Sequence, residues 1–147
     1  MLTITRAHIE DLELIAPLFD AYRVFYKQAS DIELAKYFLS NRLLKKESVI
    51  FLAKEENRPV GFTQLYKTFS SVSAEHSWIL NDLYVLDEFR SQGVGERLLK
   101  RAQKFALDDE SKGLALETAS DNPAQKLYEK LGWKKDGDYL HYFWTVD

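Results

Sequence analysis

The sequence predicts an α/β or α+β domain with a mixed sheet, and three observations carry that prediction. Apolar residues alternate with polar ones in some segments and recur at helical spacing in others, so strands and helices are interleaved. The order reads β-α-α-β-β-β-α-β-α-β-β, which is neither a helical bundle nor a sandwich. No repeat, low-complexity tract or linker-like stretch interrupts it, so residues 1–147 are expected to form a single domain.

Leu2 and Ile4 alternate with Thr3 and Thr5, as in a first strand. Leu12, Ile15, Phe19, Tyr22 and Tyr26 then follow helical spacing, and Pro17 is expected to kink that helix. Ser30 and Glu33 have the spacing of a capping box and open a second helix through about Leu44. "SVIFLAKEENRPVGFTQLY" reads as two strands joined by the polar turn from Glu55 to Pro59. "SWILNDLYV", Ser77 to Val85, is a further strand. Val94, Leu98, Leu99, Ala102, Phe105 and Ala106 then form one helical stripe. Gly113 to Thr118 is short and apolar, as a buried strand would be. Asn122 as N-cap, Pro123 at the first position and Gly132 past the end delimit a short helix. Asp136-Gly137 marks a hairpin turn, after which Leu140, Tyr142, Trp144 and Val146 share one strand face.

Composition narrows the function. The chain is 46% hydrophobic and 29% charged with a net charge of −3, which gives no argument for nucleic acid or an anionic membrane. It contains no cysteine, which excludes disulfides, thiolate metal sites and a cysteine nucleophile. His8, His76 and His141 lack metal-ligand spacing, so no metal is expected. The N-terminus has no signal-peptide layout and no apolar run is long enough to span a bilayer, so a cytoplasmic protein is expected.

"FRSQGVGERLLKRA", Phe89 to Ala102, places two glycines where a helix begins. The first N–H groups of a helix lack carbonyl partners and carry the positive end of its dipole. Glycine leaves them bare to a phosphate. Gln92, Gly93, Val94, Gly95 and Glu96 would present successive N–H groups, Arg90 would add charge, and Ser91 lies between them. A dinucleotide fingerprint would need a third glycine where Leu98 stands, and a P-loop would need Lys-Ser/Thr where Glu96-Arg97 stand. By itself the pattern also describes an ordinary tight turn.

Arg90-x-x-Gly93-x-Gly95 resembles the acetyl-CoA signature of the GNAT family of N-acetyltransferases. A second block, Asn122-x-Ala124-x-x-Leu127-Tyr128-x-x-x-Gly132-Trp133, follows at the family's distance. The family more often has two residues between the Asn and the Ala, so Asp121 stands where its Asn is usual. The resemblance implies a mixed, mostly antiparallel central sheet flanked by helices, acetyl-CoA as cosubstrate, and direct transfer to an amine. It implies that the strand before the motif splays from the next, and that pantetheine pairs with Leu83, Tyr84 and Val85 in the gap. The pyrophosphate would lie on the turn from Gln92 to Glu96, Asn122 would contact the pantetheine arm, and Tyr128 would point at the sulfur.

In such a reaction Tyr128 can protonate or hydrogen-bond the leaving thiolate, and Asp82 can relay the amine's proton or bind its ammonium form. Spacing alone also allows Tyr128 to be a packing residue and Asp82 to brace a backbone bulge. Arg97, Lys100, Arg101 and Lys104 read most simply as a solvated helix face. "GFTQLYKTFSSVSAEHSWILNDLYV" is similar to the same region of diamine acetyltransferases, except that Asn81-Asp82 replaces their Glu-Asp. The expected acceptor is a small cationic, polyamine-like amine. A protein lysine or N-terminal amine is the second option, and a non-catalytic CoA-binding module the third. Family resemblance also implies a homodimer, to which the aromatic ending "YLHYFWTVD" would supply an edge strand.

Overall fold

The computed structural model describes residues 1–146. The elements run β1 (Leu2–Ala7), α1 (Leu12–Phe25), α2 (Ile32–Leu44), β2 (Ser48–Glu55), β3 (Arg58–Ser70), β4 (Glu75–Val85), α3 (Val94–Asp108), β5 (Leu114–Ala115) and α4 (Gln125–Lys130). The chain divides into two compact units after Glu117.

The first unit is a five-stranded sheet in the order β1-β2-β3-β4-β5. The first four strands are antiparallel and β5 runs parallel to β4, so the sheet is mixed and mostly antiparallel as expected. Interior strand β2 is buried on both faces, which is why "VIFLA" reads as an unbroken apolar run. Ile50 and Leu52 pack with Ile15 and Phe19 of α1 and Ala35 and Leu39 of α2. Phe51, one residue out of phase, meets Phe105 of α3 at 5.8 Å between ring centroids. Helices α1 and α2 therefore cover one face of the sheet and α3 the other.

Most elements keep the expected type, with displaced ends. Helix α1 runs through Pro17 without a break. Helix α2 is capped by Asp31, which accepts from the Leu34 N–H at 3.1 Å, and not by Ser30. Ser30 is engaged elsewhere, donating its hydroxyl to Asp20 of α1 at 2.6 Å. The β2–β3 turn narrows to Glu56-Asn57, both with positive φ, as a two-residue hairpin with right-handed strand twist requires.

Strand β5 is only two residues long, and its side chains are at most half-buried rather than core. The two strands expected after Trp133 are not formed among the described residues, although a turn does occur at Gly137-Asp138. Tyr139, Leu140, Tyr142, Phe143, Trp144 and Val146 are 78% to 86% exposed. Alternation marks a face, but a strand also needs a hydrogen-bonded neighbour, and an isolated hairpin is marginal in water.

Within the second unit, α4 starts at Gln125, later than expected. Asn122 does not cap it directly: its Oδ1 accepts from the Ala124 N–H at 2.9 Å and closes the turn that leads in. The helix ends as expected at Gly132, with Gly132 N–H on Glu129 O at 3.1 Å and Trp133 N–H on Tyr128 O at 3.0 Å.

Candidate active site

The site is built around an irregularity in β4. Gln64 of β3 lies opposite Asp82 and Leu65 opposite Leu80, so Asn81 is an extra residue, a β-bulge. Before it, the Trp78 N–H bonds Gly113 O at 3.0 Å and so faces β5. After it, the Leu86 N–H bonds Val60 O at 2.9 Å and so faces β3. By the two-residue alternation, Leu83 and Val85 turn their backbone groups away from β3, toward the side on which β5 lies. Pairing with β5 stops at Ile79, so that stretch of edge has no strand beside it among the described residues. Tyr84, between them, directs its backbone to β3 and sets its ring against Tyr22 and Phe25 of α1.

The same bulge switches the side chains. Trp78 packs on Phe105 of α3. Asp82 instead lies by Tyr22 of α1, on the opposite face. It is 2% exposed. Its Oδ2 accepts from Gln64 Nε2 at 2.5 Å and its Oδ1 from Asn81 Nδ2 at 2.7 Å. The Thr63 hydroxyl donates to its backbone oxygen at 2.8 Å. Burial pushes the Asp82 carboxyl above its ordinary value, and donation from Asn81, Gln64 and Tyr22 pulls it part of the way back. Burial, with the nearby carboxylate charge, also raises the phenols of Tyr22 and Tyr66. Asp82 thus sits next to a bulge and is a buried carboxylate of raised pKa.

The turn after β4 leads straight into α3. Gly93 has φ +83°, a left-handed conformation that a side chain would strain, and its carbonyl takes the first helical bond from the Arg97 N–H at 3.1 Å. A Cβ at Gly93 or Gly95 would meet nothing within 4 Å, so the mouth of the helix is open around the N–H groups of Val94 and Gly95. Ser91 also has positive φ, and Gln92 donates its side-chain amide to Glu88 O at 3.2 Å. The Glu96 carboxylate pairs with Lys100 at 3.2 Å. The Arg90 charge is not simply free for an anion. Its Nε donates to Val85 O at 2.9 Å, and its guanidinium lies over Phe25 and Tyr84.

Gly61 of β3 holds this edge in place. A Cβ there would lie 2.9 Å from Tyr84 O and 3.3 Å from a methyl of Val85. Gly61→Ala is expected to destabilise the chain by about 1–3 kcal/mol, because the contact is with backbone that cannot turn aside. Thermal denaturation of the variant checks this.

In the second unit, Tyr128 is half-buried with its ring 6.2 Å from Trp133, and Asn122 donates to Thr118 at 2.8 Å. Sequence reasoning singled out Asp82 but missed Gln64. A glutamine inside the apolar run "VGFTQLY" was the available signal. No group of three or more His, Cys, Asp or Glu that could hold a metal occurs among the described residues.

Residues 14–133 match the family model described as Acetyltransferase (GNAT) family. The chain is 46% identical over 146 residues to the uncharacterized N-acetyltransferase YhfO of Bacillus subtilis (strain 168), covering 99% of this chain and 98% of the relative. It is 34% identical over 74 residues to the thialysine N-epsilon-acetyltransferase of Bos taurus, covering 50% of this chain and 43% of that one. The fold matches the crystal structure of a probable acetyltransferase with a TM-score of 0.91 at 43% identity, over 99% of this chain and 98% of that chain. With a bulged strand, an open edge and a glycine-started helix in consecutive positions, and with these relatives, the chain is a member of the GNAT family of N-acetyltransferases.

Proposed function

We propose that this acetyltransferase moves an acetyl group from acetyl-CoA directly to the primary amine of a small cationic, polyamine-like molecule. The observation that carries the reading is a single one: a buried carboxylate, Asp82, adjoins the edge residues Leu83 and Val85 whose backbone groups are unclaimed by β3. The residues present fit the cosubstrate. An extended chain can pair with such an edge, and a diphosphate suits the open N-terminus of α3. When bound, acetyl-CoA supplies the activated acyl group, and the absence of cysteine fits direct transfer.

Asp82 binds the ammonium form of the acceptor or takes its proton as the amine becomes nucleophilic. An N–H of Leu83 or Val85 offers a fixed donor to the oxygen that gains charge. Tyr128 serves the departing sulfur, and Asn122 the arm that carries it. A thiolate of ordinary acidity leaves tolerably without help, so Tyr128→Phe is expected to lower kcat by only about tenfold. The melting shift produced by acetyl-CoA should be unchanged in that variant, which separates chemistry from binding. Undiminished turnover in Tyr128→Phe would remove the role given to Tyr128, and acetyl-CoA binding without turnover of any amine by the parent would favour the reading as a CoA-binding module without catalysis.

The bovine relative is a thialysine N-epsilon-acetyltransferase, which supports a small acceptor with a side-chain amine. A protein lysine or N-terminal amine is the competing class. Screening small amines against peptides by CoA release tests the choice, and turnover with peptides alone would reverse it. We further propose a cytoplasmic homodimer, supported by the exposed aromatic segment from Tyr139 to Val146. No helix among the described residues is long and apolar enough to cross a membrane. Sedimentation showing only monomer at micromolar concentration would remove the dimer.

A further inference from the structure

We infer that Gln64 is a positioning residue for this reaction: together with Asn81 it grips the two oxygens of Asp82 and sets the direction in which the carboxylate faces. The inference rests on the role given to Asp82 above.

The geometry is specific. Gln64 comes from β3 and Asn81 from the bulge itself, and each donates one amide N–H to a different carboxylate oxygen, at 2.5 and 2.7 Å. The Thr63 hydroxyl pins the Asp82 carbonyl, so backbone and side chain are both fixed. Gln64 is fully buried, and its Oε1 has no hydrogen-bond partner among the described residues. Burying an unmet carbonyl is costly, and a methionine would fill similar space without that cost. What the amide adds is its donor, aimed at one carboxylate.

The consequence is electrostatic as well as steric. Donors to a carboxylate favour its ionised form, while burial disfavours it. The groups facing Asp82 from the packed elements are Tyr22 of α1 and Tyr66 of β3. Tyr26 stands by Tyr22, and Arg42 of α2 by Tyr66. Both facing phenols are displaced upward, so neither titrates alongside the carboxyl. The two amides are therefore the groups that offset burial in favour of the charged carboxylate.

The test follows the Asp82 carboxyl by carbon-13 NMR titration of the uncomplexed protein, in the parent, in Gln64→Met and in Asn81→Ala. Asn81 is solvent-exposed, so its variant keeps the fold even if Gln64→Met does not. Each loss of a donor is expected to raise the midpoint by about one pH unit. The acid limb of kcat/KM for CoA release, with acetyl-CoA and butylamine, should move upward with it. Gln64→Glu should make the two carboxyls titrate in two widely separated steps. An unmoved midpoint overturns the inference, and so does a midpoint that moves while the pH profile stays in place. Parental turnover in Asp82→Asn overturns the earlier reading of Asp82 instead, and is told apart because the NMR shifts would persist.

Discussion

Asp82→Asn is expected to lower kcat/KM for amine acetylation by about 100-fold while the uncomplexed chain melts no lower than the parent. The two halves of that result have one cause. Burial raises the Asp82 carboxyl above its ordinary 3.8, so the folded chain holds that proton more tightly than the unfolded chain does. Its contribution to stability is full below that ordinary value and is lost as pH rises through the higher folded value. At neutral pH the carboxyl therefore works against the fold, and a neutral amide of the same shape relieves it. The Gln64 Oε1, without a partner in the parent, can accept from the new amide once the Gln64 side chain turns over. Catalysis moves the other way, because an amide can neither take a proton nor balance an ammonium charge. Steady-state kinetics beside calorimetry checks both halves. A variant with lost activity and a collapsed melting temperature would point to Asp82 as a brace alone.

Gly95→Glu is expected to abolish most of the thermal stabilisation by acetyl-CoA while making the uncomplexed chain slightly more stable. Gly95 is the second residue of α3, and a side chain there meets no atom within 4 Å. Replacing glycine within a helix gains about 1 kcal/mol, and a carboxylate in the first turn adds a few tenths more by facing the positive end of the dipole. The same carboxylate would occupy the place where the ligand's diphosphate is proposed to sit. At about 100 times Kd, acetyl-CoA should stabilise the parent by roughly 2.7 kcal/mol, on the order of 8 °C. A Kd weakened by about 100-fold removes most of that shift. Scanning fluorimetry with acetyl-CoA, ATP and NAD measures it. An undiminished acetyl-CoA shift in the variant would take the ligand away from this helix, and a shift from ATP or NAD alone would change the ligand's class.

What the sequence made legible was the information carried by neighbours in the chain. The hydrophobic stripe of α3 and the left-handed glycine before it are local, and both lie where the pattern placed them. The cap of α2 moved from Ser30 to Asp31 because Asp20, ten residues earlier and on another helix, engages the Ser30 hydroxyl. Spacing within α2 cannot report that. The C-terminal alternation from Leu140 to Val146 is real as a pattern, yet strand formation depends on a partner that the pattern does not contain. The Asp82 alternatives, brace or chemical group, could not be separated in one dimension because the bulge and the burial of the carboxylate both depend on how β4 pairs with β3. Gln64 was illegible for a related reason. A polar residue in a strand reads as solvent-facing until the helices that cover that face are seen.

The additional residue at Asn81 gives β4 a change of parity, with a consequence for how this chain can vary. Register, rather than residue identity, decides whether the acid of β4 looks toward α1 or α3. A change that let Asn81 join the ladder opposite Gln64 would leave every motif spelled correctly, yet turn the carboxylate to the wrong layer and fold the pairing groups back on β3. Such a protein would pass any inspection of its signatures and still be inert.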